Sequence, residues 1–435
     1  MNSMSHDSLL NLVLVVLLYL ATLLWMYARH PKALIGLFGI GLYVASGFCA
    51  LVYYEIFGGK WLYTNLPLGA LLYLWAASVA MMSPLFRIRD DEIRTITPFR
   101  EERLSFCLWV LAAIVLLTNV SVLPQLLTGV KAAWQGYAQE IYDLRRSGNM
   151  ARMGFSFSFR SACFTLAGMF SEIVVFFFFW ALSGHSKRRL SILLGVCSLF
   201  PALTSFATAG RNGLVAFGMN IVCLWLLFRN LMSSKIRHAI SMAGILVLAA
   251  TVTGIGVVTL ARFGTRGSAG IWESVFRYAG QPMLNFAFWV PKANGFSCGD
   301  NTFPAVRMGL GLSHIMNRDG YRAIWENTLG IPMNVFYTTV GDFVLDYGWL
   351  GTMAMLACGG WVMSKWVRQH GESVDLSTLF LIYSLFLVAG HGIFYFTYKT
   401  FAGNLRILAM VVTYFALSQL LRTRVAQRGD YCRGN

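Results

Sequence analysis

Charged residues are scarce in this chain of 435 residues: only 12% are Asp, Glu, Lys or Arg, and just 19 are acidic. An average soluble domain carries about 25% charged residues, which cover its surface. The composition therefore excludes an ordinary soluble enzyme, and the shortage of charge also excludes a disordered chain. Hydrophobic residues make up 57% of the sequence, which indicates a polytopic membrane protein.

Motifs that bind nucleotides or metals are missing as well. The sequence contains no Walker A loop, dinucleotide fingerprint, zinc-ligand spacing or nucleophile elbow. We therefore predict no cofactor and no metal site. The net charge of +16 could attract nucleic acid. In a membrane protein, however, the charge on each side of the membrane must be counted separately. We predict no nucleic-acid partner.

Long apolar runs are what the chain has in abundance. A bilayer core about 30 Å thick requires about 20 apolar helical residues to cross it. Because lipid offers no hydrogen-bond partner to the backbone, such runs must be helical. We therefore predict an all-α polytopic protein, with residues 1–435 forming a single membrane domain of about 11 transmembrane helices. The eleven runs are 8–28, 33–54, 62–82, 105–124, 161–181, 190–208, 212–228, 240–261, 342–364, 376–397 and 402–421.

Lys and Arg are unevenly distributed over the connecting segments, and this bias predicts the orientation. One set of segments holds 19 of the 35 Lys and Arg residues in 70 positions, whereas the other holds 16 in roughly twice that length. We place the denser set in the cytoplasm, with the N-terminus outside and the C-terminus inside. The denser set comprises 29–32, 83–104, 182–189, 229–239, 365–375 and 422–435.

Two of the segments predicted to be external are long, 125–160 and 262–341. In the first, Trp134, Tyr137 and Ile141 recur at helical spacing beside arginines, which predicts an amphipathic helix at the lipid surface. The second repeats this mixture of aromatic residues and arginine. Arginine suits bidentate recognition of phosphate. Aromatic rings suit both stacking on sugars and the interfacial belt of a membrane protein, and both interpretations stay open.

Ionisable residues within or beside membrane spans are costly, and are therefore candidates for function. Glu172 lies about midway along the fifth run, and Arg211 occupies the tight turn after the sixth. Asp342 and Asp346 open the ninth run at its predicted outer end. Each has a structural alternative. Asp342 could cap a helix, where the dipole favours a carboxylate, and Glu172 could pair with a buried arginine.

The segment NVFYTTVGDFVLDYGWLG, from Asn334 to Gly351, resembles the Asn-Val-aromatic-Thr … Asp-aromatic-Gly signature of Wzy-type bacterial oligosaccharide repeat-unit polymerases. Thr338 stands eight residues before Asp346, as in that family, although one extra aromatic residue separates Asn334 from Thr338. The turn at 209–213 resembles the family's Gly-Arg turn, and 278–285 resembles a looser motif of its long external loop.

The O-antigen ligases are similar in architecture to these polymerases and to this chain. Their corresponding motif carries a His-Asn/Ser pair where this chain has Tyr337 and Thr338, which favours a polymerase over a ligase. A lipid-linked oligosaccharide flippase, or another transporter, is the alternative from a different functional class. Transporters are often built from inverted repeats, and no second copy of the signature is visible in the other half of this sequence.

The resemblance implies transfer of a glycan from undecaprenyl diphosphate onto a second lipid-linked repeat unit, at the periplasmic face. It implies membrane lipid, a flippase and a chain-length regulator as partners. Such a reaction needs positive charge beside the diphosphate and a base for the attacking hydroxyl. The base candidates are Asp346, then Asp342 and Glu172, and the diphosphate candidates are Arg211, Arg277, Arg262 and Arg266. The remaining candidates for substrate binding are Asn334, Thr338 and Asn285.

Overall fold

The protein is described by a computed structural model that covers residues 2–99, 101–135, 137, 140, 159–208, 210–263, 267–312, 318–367 and 369–431. Nearly all of the secondary structure in these residues is helical. The helices are α1 (Asn2–Arg29), α2 (Leu34–Ile56), α3 (Gly59–Leu62), α4 (Leu68–Met82), α5 (Glu101–Trp134), α6 (Phe159–Met169), α7 (Ser171–Trp180), α8 (Arg188–Ala207), α9 (Arg211–Phe228), α10 (Ser234–Phe263), α11 (Gly267–Trp289), α12 (Pro304–Gly309), α13 (Arg318–Leu329), α14 (Thr338–Trp366), α15 (Leu376–Ala389) and α16 (Phe401–Tyr431). Short strands are β1 (Thr95–Ile96), β2 (Gln369–His370) and β3 (Ser373–Val374).

Eight helical stretches in the described part of the chain are long and apolar enough to cross a membrane. This confirms a helical, multi-pass architecture, but not the predicted count of eleven. The eight stretches correspond to eight of the predicted runs. Of the other three, the run at 161–181 is broken into α6 and α7, the run at 240–261 lies within α10, and the ninth run belongs to α14, which is kinked.

The predicted external loop at 262–341 contains a helix that packs into the protein. Ser46 of α2 donates a hydrogen bond to the Ala279 carbonyl of α11 at 2.7 Å. A Cβ added at Gly280 would overlap the backbone of Ala50, so α11 and α2 are in direct backbone contact. Small residues permit such close helix packing in membrane proteins. Residues 283–287 of α11 are almost fully buried, whereas its first half keeps exposed residues. The external location of 262–341 stays a prediction.

The other predicted loop, 125–160, is described only at its ends. Helix α5 runs past Pro124 as far as Trp134, so the first ten residues of this loop belong to a helix. Residues 141–158, which carry most of the predicted amphipathic helix, lie outside the described residues.

Contacts divide the chain into two compact units, where we expected a single domain over 1–435. Unit 1 comprises Met1–Arg89, Phe263–Val367 and Leu385–Asn404. Unit 2 comprises Asp90–Arg262, Arg368–Ser384 and Leu405–Asn435. Each unit holds some of the candidate residues.

Unit 2 joins four of the loops that charge density predicted to share one side of the membrane. Strand β1 pairs with β3, and β3 pairs with β2, so segments 83–104 and 365–375 share a small sheet. Arg229 pairs with Asp91 at 2.6 Å, and His185 contacts Glu101 at 2.8 Å, which brings in the segments 229–239 and 182–189. The structure thus brings these four loops into contact, while their location on the cytoplasmic side stays a prediction.

Candidate functional site

The signature segment forms the first half of α14, and Gly348 breaks the helix there. Gly348 has φ +70° and ψ 175°, a backbone region that is essentially restricted to glycine. The break separates the carbonyls of Leu345 and Asp346 from their usual partners one turn later in the helix. Segment 297–298 takes their place: the amide of Ser297 donates to the Leu345 carbonyl at 2.8 Å, and that of Cys298 to the Asp346 carbonyl at 3.1 Å.

The Asp346 carboxylate completes this attachment and is itself only 2% exposed. Its Oδ1 accepts hydrogen bonds from the Ser297 hydroxyl and, at 3.1 Å, from the Asn301 amide. Its Oδ2 accepts from the Thr302 hydroxyl and, at 2.7 Å, from the Thr302 amide. Four donors occupy the usual acceptor positions of a carboxylate. Asp346 therefore holds the segment 297–302, which we call the docking loop, against α14.

Asp342 lies one turn earlier and has no exposed surface. Lys399 Nζ lies 2.9 Å from its Oδ1, and the Asn301 side chain donates to the same oxygen at 3.3 Å. The Phe396 amide donates to its Oδ2 at 2.8 Å. The sequence left open that Asp342 caps its own helix, and the structure shows a different role. Its carboxylate joins α14 to the docking loop and to the segment 394–404.

Two asparagines that the sequence analysis did not single out complete this junction. Asn301 donates to both aspartates, through its amide to Asp346 and through its side chain to Asp342. Asn404 donates to the carbonyl of Thr302 at 2.9 Å and accepts from the Ala305 amide at 3.0 Å. The cluster of small polar residues in CGDNT, at 298–302, was the available sequence signal. Its partners lie about 40 or more residues away in the chain, so spacing alone did not reveal the junction.

Thr338 begins α14 in a strained conformation. Its φ is +67°, which is rare for any residue but glycine and costs a β-branched residue about 1–3 kcal/mol. Its amide donates to the Phe394 carbonyl at 2.9 Å, and it forms a parallel β-bridge with Tyr395. Its hydroxyl accepts from the Gly341 amide at 3.2 Å. The strain is thus stored where the signature meets the segment 394–404, and stored strain tends to occur at functional sites.

Asn285 fixes the backbone in front of Thr338. It is 1% exposed, accepts a hydrogen bond from the Tyr63 hydroxyl at 2.8 Å, and donates to the Phe336 carbonyl at 2.9 Å. Burial and the nearby Asp342 carboxylate raise the pKa of Tyr337, whose hydroxyl donates to the Pro332 carbonyl.

The exposed members of the predicted site in unit 1 are Asn334 and Arg277. Arg277 lies on α11 and acts electrostatically on Tyr53 and Tyr63. Arg262 lies in the last turn of α10, but its side chain is outside the described part of the structure. The whole of Arg266 is outside it as well. The structure therefore leaves both of these arginines as predictions.

Glu172 lies in unit 2 at the start of α7, directly after the break at Phe170, and not midway along a continuous span as predicted. Its Oε1 lies 3.2 Å from Arg406 Nη1, and its Oε2 accepts from the Ser171 hydroxyl at 2.9 Å. A Cβ at Gly168 would come within 3.1 Å of the Arg406 guanidinium, so this glycine makes room for the arginine. The paired-carboxylate alternative is confirmed for Glu172, and Arg406 is the partner.

Arg211 also lies in unit 2, as the first residue of α9 and half-buried. Helix α8 ends at Ala207, which confirms the predicted tight turn. A Cβ at Gly213 would overlap the Ser205 side chain, so that glycine keeps the ends of the two helices close. The Gly-Arg turn thus presents Arg211 at a helix N-terminus, where the backbone dipole adds to its attraction for anions.

Across the described residues, no group of three or more His, Cys, Asp or Glu side chains is placed to hold a metal ion. Comparison with family models, with characterised proteins and with solved structures found no match to this chain. Functional interpretation therefore depends on the residues themselves and on their geometry.

Proposed function

We propose that the protein polymerises undecaprenyl-diphosphate-linked oligosaccharide repeat units into a surface polysaccharide, at the periplasmic face of a bacterial inner membrane. In this reaction the bond between the donor sugar and its diphosphate breaks, and the lipid diphosphate leaves with the electron pair. A hydroxyl of the second repeat unit forms the new glycosidic bond and releases its proton. The donor is already activated, so the reaction requires no nucleotide.

One observation carries this proposal: the signature segment 334–351 is built into a buried polar junction with a strained entry at Thr338. A signature that merely crossed the membrane would have no need of two fully engaged carboxylates or a left-handed threonine. Buried ionisable groups in a membrane protein are costly and mark functional regions. The same junction fixes the docking loop and the segment 394–404 against α14.

We assign the carboxylates a positioning role within this function. Both oxygens of Asp346 and both oxygens of Asp342 already accept hydrogen bonds from the protein. A base must reach the proton that it removes. These aspartates therefore hold the loops that present the glycan, and we assign stabilisation of the diphosphate to arginine. Arg277 is the first candidate in unit 1, and Arg211 is a separate candidate in unit 2. A diphosphate leaving group can itself accept the proton of the attacking hydroxyl.

Deletion of the gene in its host, followed by complementation, tests the proposed function. We expect loss of long surface polysaccharide, with single lipid-linked repeat units persisting on the periplasmic side. Complementation with the wild-type gene should restore the full length distribution. An unchanged distribution of polymer length after deletion would overturn the proposal.

A second function, transport of a lipid-linked oligosaccharide or another solute, is favoured by the break between α6 and α7. Transporters place discontinuous helices and buried charges at their binding sites, and the Glu172–Arg406 pair lies at such a break. The same deletion separates the two functions. Accumulation of lipid-linked substrate on the cytoplasmic face would favour transport, whereas accumulation on the periplasmic face favours polymerisation.

A further inference from the structure

Three aromatic rings of unit 1 gather beside the strained start of α14. Phe336 and Tyr395 stack nearly parallel, with ring centroids 5.1 Å apart and an interplanar angle of 10°. Tyr278 meets Phe336 edge-on at 5.8 Å. All three side chains are half-buried, so part of each ring surface remains open. We call these three residues the aromatic platform.

The backbone beneath the platform is held unusually firmly. Asn285, which is almost fully buried, binds the carbonyl of Phe336. Thr338 forms a bridge with Tyr395, and Lys399 lies 5.4 Å from the centre of the Tyr395 ring while paired with Asp342. Asn285, Thr338 and Lys399 thus all contact platform residues. Such fixation lowers the entropy lost when a ligand binds, which is the benefit of a preorganised site.

Polar residues flank the platform residues in the chain, and Lys399 lies beside the Tyr395 ring. Asn334 is exposed. Arg277 is exposed one residue before Tyr278, and the Lys399 side chain is 17% exposed. Half-open rings with an amide and cations beside them match a pyranose ring, which has an apolar C–H face and a rim of hydroxyls. Aromatic faces are electron-rich and attract the polarised C–H groups of a sugar.

The platform differs from both an interfacial belt and a hydrophobic core. Aromatic residues of an interfacial belt point outward into lipid headgroups as separate side chains. Here Phe336 and Tyr395 stack on one another, Tyr278 meets Phe336 edge-on, and the backbone that carries the stacked pair is tied to a buried polar junction. A cluster that served only as core would be fully buried, as Phe394 beside it is. A half-open platform on a fixed backbone is the arrangement of a binding site.

We propose that Tyr278, Phe336 and Tyr395 form a subsite that stacks against a pyranose ring of the glycan, with Asn334 bound to its hydroxyls. This inference rests on the proposed function, because the glycan is that of the lipid-linked repeat unit. It gives Asn285 and Thr338 the role of positioning residues for the platform.

The test measures binding of a lipid-free glycan to the purified full-length protein in nanodiscs. The probe is the repeat-unit oligosaccharide released from its lipid by mild acid, titrated by saturation-transfer NMR. We expect Phe336→Leu and Tyr395→Leu each to weaken binding about fivefold, which corresponds to the loss of about 1 kcal/mol from one well-placed aromatic contact. Tyr395→Phe keeps the ring and should bind within about twofold of wild type.

Two further variants guard against misfolding. Phe401→Leu changes an aromatic residue that is 42% exposed and lies outside the platform, so its binding should equal wild type. Asn334→Ala alters an exposed side chain without removing packing, and should weaken binding about threefold through the loss of one hydrogen bond. Wild-type affinity in both Leu variants, or no binding by the wild-type protein at millimolar glycan, would overturn the subsite.

The subsite and the proposed function fail in different assays. If deletion of the gene leaves polymer length unchanged, polymerisation is refuted, yet platform-dependent glycan binding would still support the subsite. If polymer depends on the gene while the Leu variants bind glycan and polymerise as wild type does, the subsite alone is refuted.

Discussion

The attachment of the docking loop by Asp346 predicts a measurable consequence of Asp346→Asn. Each carboxylate oxygen accepts one backbone amide, from Asn301 on Oδ1 and from Thr302 on Oδ2. The hydroxyls of Ser297 and Thr302 can turn to become acceptors, but backbone amides cannot. An asparagine has only one oxygen, so either orientation of its amide leaves one buried N–H facing a donor. A hydrogen bond to a charged group contributes about 1.5–3 kcal/mol, and we expect a cost of about 2–3 kcal/mol.

That cost should appear as release of the docking loop. Every 1.4 kcal/mol is a factor of ten in an equilibrium constant, so the released population should rise about 30- to 150-fold. Arg307 reports on release, because its guanidinium is held by the Cys298 and Leu312 carbonyls at 2.6 and 3.2 Å. When opening and closing are faster than cleavage, the rate of tryptic cleavage follows the open population. We therefore expect cleavage after Arg307 to accelerate by a similar factor, measured by mass spectrometry of the purified protein.

Glu273→Gln is the matched control. It replaces a half-buried carboxylate of the same unit that makes no contact with the docking loop in the described structure, and it should leave cleavage after Arg307 unchanged. Cleavage of Asp346→Asn at the wild-type rate would refute the positioning role. Loss of glycan transfer with an undisturbed loop would point instead to direct participation of Asp346 in the chemistry.

Three further predictions concern single side chains. Gly348→Ala should destabilise the folded protein by about 1–3 kcal/mol, because alanine does not tolerate φ +70° with ψ 175°. Gly351→Ala in the same helix is the control and should be nearly neutral. Thermal unfolding in detergent measures both variants. Glu172→Gln and Arg406→Gln should show a coupling of about 0.5–1 kcal/mol in a double-mutant cycle of stability, since the pair is partly exposed, and additive effects would contradict the pairing. Arg211→Ala should abolish polymer while the protein stays at its wild-type level in the membrane, and wild-type polymer would remove Arg211 from the site.

Hydropathy predicted most of the helices because lipid imposes one requirement on every span: apolar side chains over about 20 residues. The same requirement does not identify α11. Its sequence carries Glu273, Arg277 and Pro282, so it was assigned to an external loop. Its small residues Ala279 and Gly280 are what bring it against α2, and such packing depends on the partner helix as much as on α11.

The sequence was sufficient to predict individual residues of the candidate site, but not the contacts that these residues make. Asp342 and Asp346 stood out because charge is costly beside a membrane span. Their partners did not stand out in the sequence, because they are distant in the chain. Lys399 is 57 positions from Asp342, and Thr302 is 44 positions from Asp346. Gly348 was visible only as part of a signature. The structure supplies its physical reason, a backbone conformation that other residues do not tolerate.

Reconstitution of the reaction tests the central claim most directly. The purified protein in liposomes would be incubated with undecaprenyl-diphosphate-linked repeat units, in the presence of a metal chelator and without nucleotide. The proposed function predicts a ladder of products longer than one repeat unit, together with released undecaprenyl diphosphate. Folded protein that leaves every glycan at one repeat unit would contradict it.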